Sequence, residues 1–149
     1  MKSLFNESDN QEIVGRVNKV TPDAKPGWGK MNSAQMLAHC SVGLKIAFGE
    51  ITPKRSIIGI LLGRIVKKKI LGAESFRKNS PTSKEFIIPD GVIFYEEKIA
   101  LISNVKRFDE AGPDYITKNP HPFFGKISIG DWDNLMWKHL DHHLRQFGV

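Results

Sequence analysis

Residues 137–147 read WKHLDHHLRQF and hold three of the chain's five histidines. His139 and His143 are four residues apart, the spacing that stacks two side chains on one face of a helix. On a wheel of 3.6 residues per turn, Trp132, Leu135, Met136, Leu140, Leu144 and Phe147 form an apolar arc. His139 and His143 fall near its middle, so both rings are expected to face the interior. Asp141, Lys138 and Arg145 are expected to point away. Burying two imidazoles without partners is costly. Ordinary core packing, with each ring satisfied by a backbone carbonyl, is one solution. A divalent cation is the other, because two histidines one turn apart bind one metal from one face. A third ligand is needed, and His39 is the natural candidate. It leans inward on an earlier helix, and Gly43 one turn on leaves space beside it.

The remaining candidates carry weaker signals. His142 lies on the flank of the arc, where it is either a solvent-edge residue or a group that supports a ligand or moves a proton. His121 lies in NPHPFFG, between two prolines that fix its backbone. It either overlooks a pocket mouth or forms a structural corner. Cys40 adjoins His39, but neighbouring helix positions point about 100° apart, so it reads as core. Trp28 reads as a staple of the preceding loop against the helices.

The 149 residues suit one domain, spanning 1–149, with an interior large enough for a real core. One cysteine excludes an internal disulfide. MKSLFNESDNQEIV lacks the apolar stretch of a secretory signal. The longest apolar run, IIGILLGRIV (57–66), is too short to span a bilayer. These features describe a soluble, cytoplasmic chain. The net charge of +6 is concentrated. Segment 54–78 holds eight cations against Glu74 alone, a local +7, which leaves the rest near −1. Such a segment suits nucleic acid or an anionic surface. It lacks the interleaved aromatics that stack bases, and a solvated helix face is the simpler reading.

Helices must position these residues. Ser8 with Gln11 reads as a capping box opening a first helix, with Ile13, Val14, Val17 and Val20 at helical spacing, stopping at Pro22. Asn32 with Gln35 opens a second, running to about Gly49, with Met36, Cys40, Gly43, Leu44 and Ala47 on one face. Residues 56–71 suit a third, basic and amphipathic helix. A fourth covers about Gly91 to Asp109, with Phe94, Ile99 or Lys98, Leu101, Ile102 and Val105 as core candidates. The last runs from about Asp131 to Gly148. Between them lie two long Pro- and Gly-rich connections, in which EFIIP is the sole weak strand candidate. The expected fold is all-α: four long helices in a bundle with long crossings and an inserted basic helix.

GWGK followed by MNSAQMLAHC, the stretch FRKNSPTSKEF, and HPFFGKISIGDWDNLMWKHLDHHLRQFGV together resemble the DinB-like four-helix superfamily. Bacillithiol S-transferases belong to it, and the nearest likeness is to a bacterial branch without an assigned reaction. The resemblance covers most of the chain, most specifically at the C-terminus. It implies an up-down-down-up bundle. It also implies that His39, His139 and His143 bind a divalent metal, zinc or nickel. Better understood relatives join a low-molecular-weight thiol to an electrophile, or are metal-dependent hydrolases and isomerases. Three imidazoles leave at least one open position on a metal, the pattern of a catalytic site. The implied partner is a small-molecule substrate, with such a thiol as co-substrate, acting on a monomer or homodimer.

Overall fold

A computed structural model describes residues 2–55, 57–72, 74–80 and 86–149, with the side chains at 58 and 64 left out. Among the described residues the α-helices are α1 (Glu7–Lys19), α2 (Ser33–Ala47), α3 (Ile57–Ile70), α4 (Phe94–Ala111) and α5 (Ile129–Gln146), with a short 3-10 turn at Pro113–Tyr115 after α4. Among the described residues there is no strand, only an isolated bridge between His121 and Gly125. EFIIP is not a strand where it is described; residue 85, like the rest of the PTSKE part (81–85) of FRKNSPTSKEF, lies outside the described residues.

Local chemistry starts and stops the helices. Asn32 and Gln35 form the expected capping box on α2. Ser128 and Asp131 form a second one on α5, two residues earlier than the expected start. At α1 the cap is Asn6, not Ser8: its side chain accepts from the Asp9 N–H, and Ser8 lies inside the first turn. Two helix ends are closed by side chains from neighbours. Lys98 of α4 donates to the carbonyls of Asn18 and Val20 after α1. Lys138 of α5 donates to those of Ile70 and Gly72, and Asn134 to that of Leu71, at the end of α3. Orphan carbonyls of a last helical turn need such partners.

Helices α1, α2, α4 and α5 pack together, α2 and α1 each lying against both α4 and α5. Their buried faces merge into one apolar cluster that includes Ile13, Val17, Leu37, Leu44, Leu101, Phe108, Trp132 and Leu144. The buried side of α2 extends almost all round the helix, because it sits between α4 and α5. Two core expectations need correction. Ile99 is 70% exposed; the stripe of α4 that faces inward is Phe94, Leu101, Val105 and Phe108, and Ile99 falls on the opposite side. Asp141 does not point away. It is buried and pairs with Arg16 of α1 at 2.8 Å, which compensates the loss of water around the carboxylate.

The inserted helix α3 departs further from expectation. Gly59 and Gly63 face the protein, while five of its aliphatic residues do not. A Cβ at Gly59 would stand 2.6 Å from the Phe123 carbonyl oxygen, and one at Gly63 would also collide with it. Ile57, Ile60, Leu61, Leu62 and Ile65 are 49–77% exposed.

Candidate metal centre

His39 comes from α2, and His139 and His143 from α5, two helices in direct contact. The three rings form a triangle with centroids 4.7–4.9 Å apart. His39 Nε2 and His139 Nε2 are 3.0 Å apart, and one ring nitrogen from each histidine lies within 4.8 Å of the others. Two nitrogens bound to one zinc stand at most about 4.2 Å apart, so the triangle is within a small ring rotation of that limit. Gly43 makes room for it. A Cβ there would lie 3.1 Å from His139 Nδ1 and 3.2 Å from Cε1, closer than side chains ordinarily approach. The sequence-derived trio is thus brought together, and the space beside it is where Gly43 was expected to leave it.

Two outer contacts fix how the rings are turned. His39 Nδ1 lies 3.0 Å from the Phe86 carbonyl oxygen, and His143 Nδ1 lies 2.8 Å from Gln146 Oε1. Both oxygens accept, so each Nδ1 carries the hydrogen and each Nε2 presents a lone pair. Gln146 is held in turn: its amide nitrogen donates to the Trp28 carbonyl at 2.5 Å, and its own carbonyl accepts from the Gly27 N–H at 2.7 Å. Gly29 (φ +79°) admits this arrangement, since a Cβ there would be 2.7 Å from the Gln146 amide nitrogen. Trp28 therefore does staple the loop to the helices, through its backbone as well as its ring.

Electrostatics favour neutral rings. Burial pushes the His143 pKa down to about 3, and the neighbouring His39 adds to the effect. Burial also lowers His139 well below the ordinary value, with His143 and His39 contributing repulsion. His39 is lowered by burial against an opposing hydrogen bond to Phe86. Neutral imidazole is the form that ligates metal.

The model for the family described as "Protein of unknown function (DUF1569)" matches residues 6–148. The chain belongs to the DUF1569 family. Among curated proteins and among solved structures, nothing matches it.

In this DUF1569 chain one cavity borders the triad at His139 and a larger one borders the neighbouring His142. The smaller, about 100 Å³, is walled by His139, His121, Trp132, Met136 and Phe86 among others. His121 Nδ1 accepts the N–H groups of Phe123 and Phe124 at 3.1 and 3.2 Å, so its Nε2 carries the hydrogen. Burial holds its pKa down to about 4. His121 thus serves as a corner, bridged to Gly125 and stacked on Phe124 at 4.5 Å, and also faces the cavity wall beside His139. The indole nitrogen of Trp132 has no hydrogen-bond partner among the described residues. The larger cavity, about 330 Å³, is walled by His142, Trp28, Phe76, Trp137 and Lys138 among others. His142 is half-buried there, between the rings of Trp28 and Phe76. Cys40 is buried with its thiol pKa raised by burial, its sulfur 3.8 Å from that of Met36. It is packed as core, as expected.

Sequence reasoning missed Phe86 and Gln146. The former acts through a backbone carbonyl and leaves no side-chain signature. Gln146 sits three residues after His143, within reach on the same helix face, and that spacing was the available signal.

Proposed function

We propose that this DUF1569 chain is a metal-dependent enzyme in which His39, His139 and His143 hold one divalent ion, zinc or nickel. The observation that carries the reading is the pair of outer contacts, Phe86 carbonyl to His39 and Gln146 to His143. They leave the Nε2 of both His39 and His143 free to ligate, within a cluster whose ligand atoms lie within 4.8 Å of one another, and a ring held through its other nitrogen is what metal-ligating histidines almost always have. The short contact between His39 Nε2 and His139 Nε2 adds support: in it one ring must donate a hydrogen to the other, and a cation takes that hydrogen's place.

A bound ion supplies Lewis acidity, which makes a water or a thiol nucleophilic near neutral pH. The chain's own residues do the rest. Phe86 and Gln146 orient the ligands. Met136 and Trp132 give the cavity beside His139 an apolar wall. His121, neutral and protonated on Nε2, is placed on the cavity wall where it can donate to a substrate oxygen, and His142 borders the larger cavity as a proton-transfer candidate. The resemblance to the DinB-like superfamily and its up-down-down-up bundle favours a small electrophilic substrate, attacked either by a low-molecular-weight thiol or by water. The volume of the cavity at His139, about 100 Å³, suits a small substrate.

The test is calorimetric titration of chelator-treated, untagged protein with zinc and with nickel, followed by assays of thiol consumption with an epoxide and of ester hydrolysis. The expected result is one ion per chain, lost in His39→Ala, His139→Ala and His143→Ala alike. Stoichiometric binding that survives all three substitutions would place the ion elsewhere.

A further inference from the structure

The packing of α3 is inverted. Its stripe at positions 59, 63 and 67 faces the protein: Gly59 and Gly63 lie against the backbone of Phe123, and Lys67 donates to the Lys126 carbonyl and lies 3.6 Å from Asp131. Together with the side chains from α5 that close its C-terminal end, these contacts fix which side faces in. The opposite side presents Ile57, Leu61 and Ile65, flanked by Ile60 and Leu62. Among the described residues, five of the eleven exposed large apolar ones therefore lie within nine positions of one helix. Scattered exposed aliphatics are normal, but a contiguous apolar patch marks a surface that is covered in use.

Charge indicates what covers it. Lys54 and Arg55 precede the helix, and Lys68 and Lys69 close it; all four are exposed, and no acidic residue occurs from 54 to 72. At 3.6 residues per turn, Lys68 falls on the same side as Ile57, Leu61 and Ile65. A second copy meeting this face would bring two cationic rims together. Nucleic acid would leave the aliphatic side chains in water. A surface with an apolar interior and anionic headgroups satisfies both features, with lysine stems lying along it and ammonium groups in the headgroup layer. No helix among the described residues is long and apolar enough to cross a membrane.

We propose that α3 is an interfacial helix that docks the protein on an anionic lipid surface, with Ile57, Leu61 and Ile65 entering the headgroup–acyl boundary and Lys68 and Lys69 contacting the lipid phosphates. The α3 surface is separate from the three histidines and stands whether or not they hold a metal.

Flotation of the full chain with vesicles tests it. Vesicles of 70% phosphatidylcholine and 30% phosphatidylglycerol should carry the protein at low ionic strength, and phosphatidylcholine alone should not. Lys68→Gln with Lys69→Gln should weaken partitioning roughly 25-fold, about fivefold per lysine. Leu61→Ser with Ile65→Ser should weaken it more than tenfold per site. Both double variants should keep the melting temperature of the parent, because the replaced side chains are exposed. Absence of flotation with anionic vesicles at low salt would overturn the proposal. So would a dimer that Leu61→Ser with Ile65→Ser converts to monomer, which would assign the face to a second copy. Duplex DNA binding that is lost with the lysines and indifferent to Leu61 and Ile65 would also overturn it.

Discussion

Helices α3 and α5 both carry apolar residues at helical spacing, yet the fold uses them in opposite senses. In α5 the apolar arc is buried and carries two imidazoles with it. In α3 five aliphatic side chains are exposed and two glycines face in. The difference shows that hydrophobicity alone does not select the inward face. Helix α5 lies in the bundle, where side chains from α1 and α2 fill the space between helix axes. Helix α3 instead meets the backbone of the loop at Phe123, a contact so close that only a face without Cβ atoms fits.

Truncating one aliphatic residue on each helix gives the largest contrast. Leu144→Ala removes a fully buried side chain and should cost about 2–5 kcal/mol in chemical denaturation. Leu61→Ala should change stability by less than about 0.5 kcal/mol. Equal costs would mean that the outer face of α3 is covered. Gly63→Ala comes next. Its Cβ meets the Phe123 carbonyl, backbone that cannot swing aside, so docking of α3 should weaken by about 1–3 kcal/mol. Hydrogen exchange should report this as lost protection in α3 with α5 unchanged.

The triad offers a finer probe. Gln146→Ala leaves the three ligands intact but removes the acceptor that turns His143. Zinc affinity measured by competition should fall roughly 10–100-fold. An unchanged affinity would mean that Gln146 only ties the loop at Trp28 to the helix end.

The pattern of what sequence conveys follows the same division. The trio His39, His139 and His143 was legible because helical period puts them inward, and the cap at Asn32 marks where α2 begins, whereas Ser8 reads as the cap that Asn6 provides. Ile99 was misplaced because a wheel ranks apolar residues without knowing which neighbours a helix will have. Asp141 was misread because its partner, Arg16, is distant in sequence. The orientation of α3 was illegible because glycine carries no hydrophobic signal, although close backbone approach is what decides that contact.

Stability should also depend on pH. The folded-state pKa of His143 lies at about 3 and that of His121 at about 4, both lowered by burial, while the unfolded value is about 6.5. Below pH 6.5 the unfolded chain therefore binds more protons than the folded one. Stability of metal-free protein should be full above that pH and decline as pH falls from 6.5 toward 4 and 3, by about 1.4 kcal/mol per pH unit for each histidine held neutral. Denaturation midpoints between pH 7 and 5 check this, and His143→Ala should show a shallower slope than the parent.

The central claim is that the three imidazoles form a binding site rather than a packing arrangement. Its most direct test is the melting temperature of the untagged protein with zinc at about a hundredfold over its dissociation constant, and with chelator. Binding to the folded state alone should raise the midpoint by roughly 5–10 °C, and His143→Ala should abolish the rise while its chelated form still melts cooperatively. A wild-type midpoint that neither zinc nor nickel moves would contradict the account and leave the histidines as core.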